Sequence, residues 1–193
     1  MTTPSEGALP TVEVILRDGS VADVRPIQPG DRSLIEEGLA HMSLQSRVAR
    51  FGSGIAHLSE SELDYLTEID LVDHVAWGAT IDDVPAGTGR YIRPAAGDEA
   101  EVAVAVVDEF QRRGLGRVLF DALVSSARHN GVGRLYFSVH PTNEIVLRMM
   151  RGVGARLDDS EGLVVGHFEA KDVPQGPNHS GFVELLKRYQ TAL

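Results

Sequence analysis

The chain's 193 residues, 42% of them hydrophobic, suit one globular domain with a buried core of its own. A formal charge of −10 argues against nucleic acid as the main partner, because gripping a phosphate backbone takes a basic face. The absence of cysteine excludes a disulfide, a thiolate metal site and a covalent acyl-cysteine intermediate, so any group transfer would have to be direct.

In chain order, residues 1–10 are small and acidic, unlike the charged-then-apolar pattern of a secretion signal, and read as a flexible N-terminus. No later apolar run approaches a membrane span, so no membrane contact and a cytoplasmic setting are expected. Residues 12–16 and 21–25 predict two strands around Asp18-Gly19, a hairpin-type turn, with one longer strand carrying a short insert as the alternative. Pro29, Gly30 and Asp31 open a helix through Leu34, Ile35 and Leu39, and a second short helix is expected from Ser43 towards Phe51. Ser59 and Glu62 have capping-box spacing ahead of Leu63, Leu66 and Ile69. Strands are expected at 72–81 and 88–92 around a turn at 82–85, then at 99–107, 135–139, 155–157 and 164–168. Helices are expected from Gly114 and over 143–151. A polar, proline-containing linker at 173–179 precedes a short C-terminal helix at 182–189 that packs on the domain or on a partner. The pattern predicts an α/β fold with a mixed central sheet flanked by helices, without internal repeats.

The most informative segment joins the strand at 99–107 to the helix after it, through Asp108-Glu-Phe-Gln-Arg-Arg-Gly-Leu-Gly-Arg117. Val102, Val104 and Val106 alternate with Ala103 and Ala105, the period of a strand, and Leu115, Val118, Leu119, Ala122 and Leu123 then recur at helical spacing. Glycines at 114 and 116 remove side chains where the backbone must come close to a ligand, and the free N–H groups of a first helical turn attract an anion such as a pyrophosphate. No Gly-Lys-Ser/Thr follows, which excludes a Walker A loop, and 111–116 does not fit the three-glycine dinucleotide fingerprint.

Gln111, Gly114 and Gly116 match the pattern Gln/Arg-x-x-Gly-x-Gly/Ala, which resembles the acyl-CoA-binding turn of the GNAT N-acetyltransferase superfamily. The order of elements is similar to the GNAT fold as well, which implies a GNAT domain at 11–170 followed by a linker and helix at 171–193. The resemblance implies acetyl-CoA as co-substrate and no metal. It places acetyl-CoA against Val104, Ala105 and Val106, against Gln111, Arg112, Arg113, Gly114, Leu115, Gly116 and Arg117, and near Asn143, which serves equally well as a helix N-cap. Further segments resemble the catalytic domain of Pat-type bacterial protein lysine acetyltransferases: Leu16-Arg-Asp-Gly19, Val24-Arg-Pro-Ile27, Asp31-Arg32, Ser43 with Ser46-Arg47, Arg50-Phe51, Leu66-Thr-Glu-Ile-Asp70 and Asp73-His-Val-Ala-Trp77. Those enzymes often carry a second, regulatory or synthetase-like domain, for which 193 residues leave no room, so control by a fused cyclic-nucleotide domain is not expected.

A lysine ammonium has a pKa of about 10.4, so near neutral pH only roughly one in a thousand is nucleophilic and a base is needed. Glu101 shares a strand face with Ala103 and Ala105, small residues that leave space above the sheet. Its Ala-Glu-Val-Ala context matches the general base of related lysine acetyltransferases, and burial beside Val and Ala is expected to help it. Many GNAT enzymes place a tyrosine seven residues after an asparagine as general acid, but Asn143 plus seven is Met150 here, which leaves the acid open. His57, His74, His129, His140 and His167 lack metal-ligand spacing and read as structural. Asp73-His74 and Arg50-Phe51 are candidates to line the acceptor cleft, with Phe51 and Trp77 equally suited to the core. The expected activity is acetyl transfer to a protein lysine, with an acyl-CoA synthetase such as acetyl-CoA synthetase as partner. The alternatives are a small-amine acetyltransferase and a non-catalytic acyl-CoA sensor, which would not need Glu101.

Overall fold

A computed structural model describes residues 9–51, 53–94 and 97–192, with only the backbone of 49–51. The expected N-terminal segment therefore lies outside the described residues up to position 8, as do the side chains of Arg50 and Phe51. Strands β1 (Val12–Ile15) and β2 (Val21–Pro26) form the expected antiparallel hairpin. At its tip Asp18 Oδ1 accepts from the Ser20 amide and hydroxyl, and Gly19 adopts φ 87°, a region that suits glycine. A 3₁₀ turn at Pro29–Asp31 leads into α1 (Arg32–Ala40), and Arg25 fixes that entry by donating from both terminal nitrogens to the Asp31 carboxylate at 2.7 Å. Helices α2 (Leu44–Phe51) and α3 (Glu60–Thr67) follow. The capping box at the start of α3 forms as expected, with Ser59 N donating to Glu62 Oε2 at 2.8 Å and Glu62 N donating to Ser59 Oγ at 3.3 Å.

Two strand starts differ from expectation by two residues or more, each for a local reason. Strand β3 (His74–Ile81) starts two residues late, because Asp70 Oδ1 accepts from the backbone N–H groups of Val72, Asp73 and His74, all at 2.8 Å, and holds them in a turn. Strand β4 (Val84–Ile92) starts early, because the turn is only Asp82-Asp83, with φ 51° and 64°, as a two-residue hairpin of primed type requires. Pro85 lies inside the strand, opposite Thr80, where the register shifts after Ala79. The remaining elements are β5 (Glu99–Val106), α4 (Leu115–His129), β6 (Arg134–Val139), α5 (Glu144–Gly152), β7 (Arg156–Ser160), β8 (Leu163–Glu169) and α6 (His179–Ala192). The last of these is longer than expected at both ends.

Among the described residues eight strands form one sheet in the order β1-β2-β3-β4-β5-β6-β8-β7, antiparallel throughout except for β5 with β6. Helix α4 crosses β3, β4 and β5 on one face, with α6 beside it, while α1 and α3 cover the other face at β4. The α4 contact is close because β4 offers glycine there: a Cβ at Gly89 would stand 3.2 Å from Leu123 and 3.3 Å from Leu119. Under α4 and α6 lies a large part of the buried apolar core. Trp77 is fully buried, donates from Nε1 to Ser126 Oγ at 3.0 Å and meets the Phe182 ring edge-on at 5.3 Å. Its core role is thus the one the structure selects. The C-terminal helix packs on the domain, burying Phe182, Leu185, Leu186 and Tyr189.

Candidate active site

The glycine turn sits where the sequence places it, between β5 and α4. Gly114 caps α4 at φ 99°, and Arg112 two residues earlier is also left-handed at φ 63°. Alternating left-handed residues turn successive N–H groups to one side, a concave arrangement that suits an anion. Among the described residues the backbone N–H groups of Arg113, Gly114, Leu115 and Gly116 find no acceptor. Four adjacent orphan donors at a helix start fit a pyrophosphate in charge and in hydrogen-bonding sense. Gly116 has a different reason to be glycine from Gly114: a Cβ there would touch only Val106 Cγ2 at 3.6 Å, so the protein's own packing would admit one.

The turn is braced from two sides. Gln111 Nε2 donates to the Val106 carbonyl at 3.1 Å, closing the end of β5. Asp108 accepts from the Ser43 amide at 2.9 Å, the Ser43 hydroxyl at 2.8 Å and the Ser46 hydroxyl at 2.9 Å, which ties α2 to the turn. Burial opposes the Asp108 charge, but these hydrogen bonds outweigh it and hold the carboxyl below the usual carboxylate range. Ser43, read in the sequence as the start of a helix, and Ser46, noticed there only as part of a resemblance, thus have a physical task.

Beyond the turn, β5 parts from its neighbour. Its β4 edge stays paired up to Val106, but its β6 edge pairs only at Glu99↔Arg134, Ala100↔Leu135 and Glu101↔Tyr136. The half-buried segment Val104, Ala105 and Val106 therefore lines a gap between strands. Asn143 caps α5, its Oδ1 accepting from Val146 N at 3.3 Å, which leaves its amide NH₂ as a donor. Glu101 stands at the point of parting. It is exposed rather than buried, so the expected help from burial is absent. Sequence reasoning missed its cross-strand neighbour Tyr136; burial first, then the Glu101 and Glu99 carboxylates, raise the phenol's pKa above its ordinary value. His167 stacks on Tyr136 with ring centroids 5.8 Å apart, and its Nδ1 lies 2.7 Å from Glu99 Oε1. The alternation of Glu, Tyr and His on three adjacent strands carries no signal within any one strand, which is why the row was not legible.

On the same face, a largely apolar cleft opens between α1 and the sheet, with Leu34, Ile35 and Leu39 above and Thr88, Arg90 and Ala105 below. His74 borders this face, its Nε2 3.0 Å from Arg90 Nη1 and its ring 5.1 Å from that of Tyr65. Burial, reinforced by the Arg90 charge, drives its pKa down to about 4, so the ring is neutral near pH 7. Asp73 is held by Arg93, whose Nε donates to it at 2.6 Å. Arg113 and Arg117 are also engaged: the first lies 3.2 Å from Asp18 and donates to the Glu109 carbonyl, and the second donates to Asp121 at 2.8 Å. Among the described residues no group of three His, Asp or Glu side chains converges as metal ligands would.

Known proteins match the fold and the stretch of sequence in which these residues lie. The family model for the acetyltransferase (GNAT) family matches residues 45–155, which contain the turn and Glu101. The chain is 33% identical over 181 residues, 91% of its length, to acetyltransferase Pat of Mycolicibacterium smegmatis, and spans 54% of that protein. It is 30% identical over 125 residues to acetyltransferase PA5475 of Pseudomonas aeruginosa, covering 63% of this chain and 67% of that one. The crystal structure of the GNAT domain of S. lividans PAT superposes with a TM-score of 0.77 at 31% identity, covering 82% of this chain and 96% of that domain. The orphan donors at the glycine turn, the parted strands beside it and a family match that takes in both lead to one assignment: the chain belongs to the acetyltransferase (GNAT) family.

Proposed function

We propose that the protein transfers the acetyl group of acetyl-CoA to the ε-amine of a protein lysine, with Glu101 as general base. The observation that carries this reading is the place of Glu101, an exposed carboxylate at the last β5–β6 pair, where the gap between the strands begins. The orphan N–H groups of the glycine turn would hold the pyrophosphate, the edge of β5 at 104–106 would take the amides of the pantetheine arm, and the Asn143 amide is a further donor for it. The thioester supplies the acetyl group. Glu101 takes the proton of the lysine ammonium, with Tyr136 beside it as its partner on β6. The departing thiolate takes its proton from solvent or from the proton released by the amine, so no dedicated acid is required. The small side chain of Ala105 in the cleft floor leaves width for an extended lysine chain.

A lysine of an acyl-CoA synthetase is the proposed acceptor, on the strength of the likeness to Pat-type enzymes. Incubation with acetyl-CoA and acetyl-CoA synthetase, followed by mapping of modified lysines by mass spectrometry, should find acetylation concentrated at an active-site lysine with loss of synthetase activity. Efficient acetylation of polyamines or aminoglycosides with the synthetase unmodified would instead establish a small-amine acetyltransferase.

A further inference from the structure

The tip of the β1–β2 hairpin lies against the glycine turn, although the two are distant in sequence. Arg17 N donates to the Arg113 carbonyl at 3.0 Å, and Asp18 pairs with the Arg113 guanidinium at 3.2 Å. The Arg17 side chain extends over Gly114, where its Cγ, Nε and Cδ lie 3.5, 3.6 and 3.7 Å from the position a Cβ would take. Four arginines thus belong to the turn or adjoin it: Arg17, Arg112, Arg113 and Arg117. Two are already neutralised, Arg113 by Asp18 and Arg117 by Asp121. Among the described residues neither Arg17 nor Arg112 has a carboxylate at ion-pair distance.

We infer that Arg17, reaching in from the N-terminal hairpin, is a phosphate-binding residue of the acyl-CoA site and contacts the pyrophosphate held over Gly114. The inference rests on the acyl-CoA reading and adds to it a residue outside the glycine turn. The backbone donors fix where the anion sits, but they carry only partial charges. In a protein of formal charge −10, a polyanionic ligand needs full positive charges close to its phosphates, and Arg17 lies over Gly114 with no carboxylate partner among the described residues, whereas Arg113 and Arg117 are engaged. The hairpin is held by backbone and Asp18 contacts, not by the Arg17 guanidinium, so the residue is exposed and replaceable without loss of the fold.

The test is calorimetric titration of wild type, Arg17→Ala and Arg17→Lys with CoA, 3′-dephospho-CoA and S-acetylpantetheine, with circular dichroism to check folding. Arg17→Ala should weaken CoA and 3′-dephospho-CoA alike, by roughly tenfold or more, as loss of a charge-assisted contact does, and leave acetylpantetheine unchanged. Arg17→Lys should recover part of the loss. Unchanged CoA affinity in a folded Arg17→Ala variant overturns the assignment, and so does a loss confined to CoA, which would put Arg17 at the 3′-phosphate. A wild type that bound no CoA would bring down the acyl-CoA reading itself, and this inference with it.

Discussion

A side chain at position 116 would meet only ordinary contact with Val106, so the protein's own packing does not require glycine there. Gly116→Asp should therefore fold normally and lose acetyl-CoA binding, since it adds bulk and negative charge beside the orphan donors. Calorimetry beside a thermal melt separates the two effects, and a variant that binds acetyl-CoA as the wild type does would show that the turn is not the cradle. Glu101 makes the opposite separation. Glu101→Gln is expected to keep acetyl-CoA affinity while turnover falls on the order of a hundredfold, the usual share of a general base. Because the base is needed only while the acceptor is protonated, the deficit should shrink as pH rises towards the lysine pKa of about 10.4. Steady-state rates from pH 7 to 10 would show this, and a rate unaltered near neutrality would move the base elsewhere. An exposed Glu101 that acts as the base would owe its competence to its place at the parting of two strands, not to an apolar surrounding.

At the scale of elements, α6 belongs to the core. It buries Phe182 against Trp77 beneath the sheet, and the Tyr189 hydroxyl donates to the Pro10 carbonyl at 3.1 Å, linking the two ends of the described chain. Phe182→Ala should cost about 3–5 kcal/mol in urea denaturation, through lost burial and the cavity left behind. Since α6 lies on the sheet face opposite Glu101 and the α1 cleft, kcat per folded molecule should be unchanged. A parallel loss of kcat in the folded fraction would mean that α6 does more than support the core. The same elements show what the chain makes legible. Ser59 with Glu62, Asp18-Gly19 and the Val/Ala alternation before Gly114 were readable because each is a local arrangement completed within a few residues. Pro85 misled because proline is read as a turn signal, whereas the β4 hairpin turns on two left-handed aspartates and admits proline at an irregular register. The amphipathic pattern of α6 was visible, but not the surface that receives it. Likewise Tyr136 and Arg17 reach the site only through tertiary neighbours, a strand pairing in one case and a docked hairpin in the other.

At the scale of the whole molecule, charge and function pull in different directions: an acidic protein collects arginines around one turn, and part of that positive charge is already balanced by Asp18 and Asp121. The match to Pat covers about half of that protein, so what this chain shares with it is the domain that carries the turn and the sheet. The sheet itself is two panels, one of five strands and one of three, sewn together by a seam only three residue pairs long. A ligand that lay along the open part of that seam would act as a substitute strand and cross-brace the panels. Binding should then slow amide hydrogen exchange at 102–106, and ligand at a hundredfold over its Kd should raise unfolding stability by about 2.7 kcal/mol. If exchange slowed only at the glycine turn, the ligand would be gripped by its phosphates alone, and the panels would have to hold together without it.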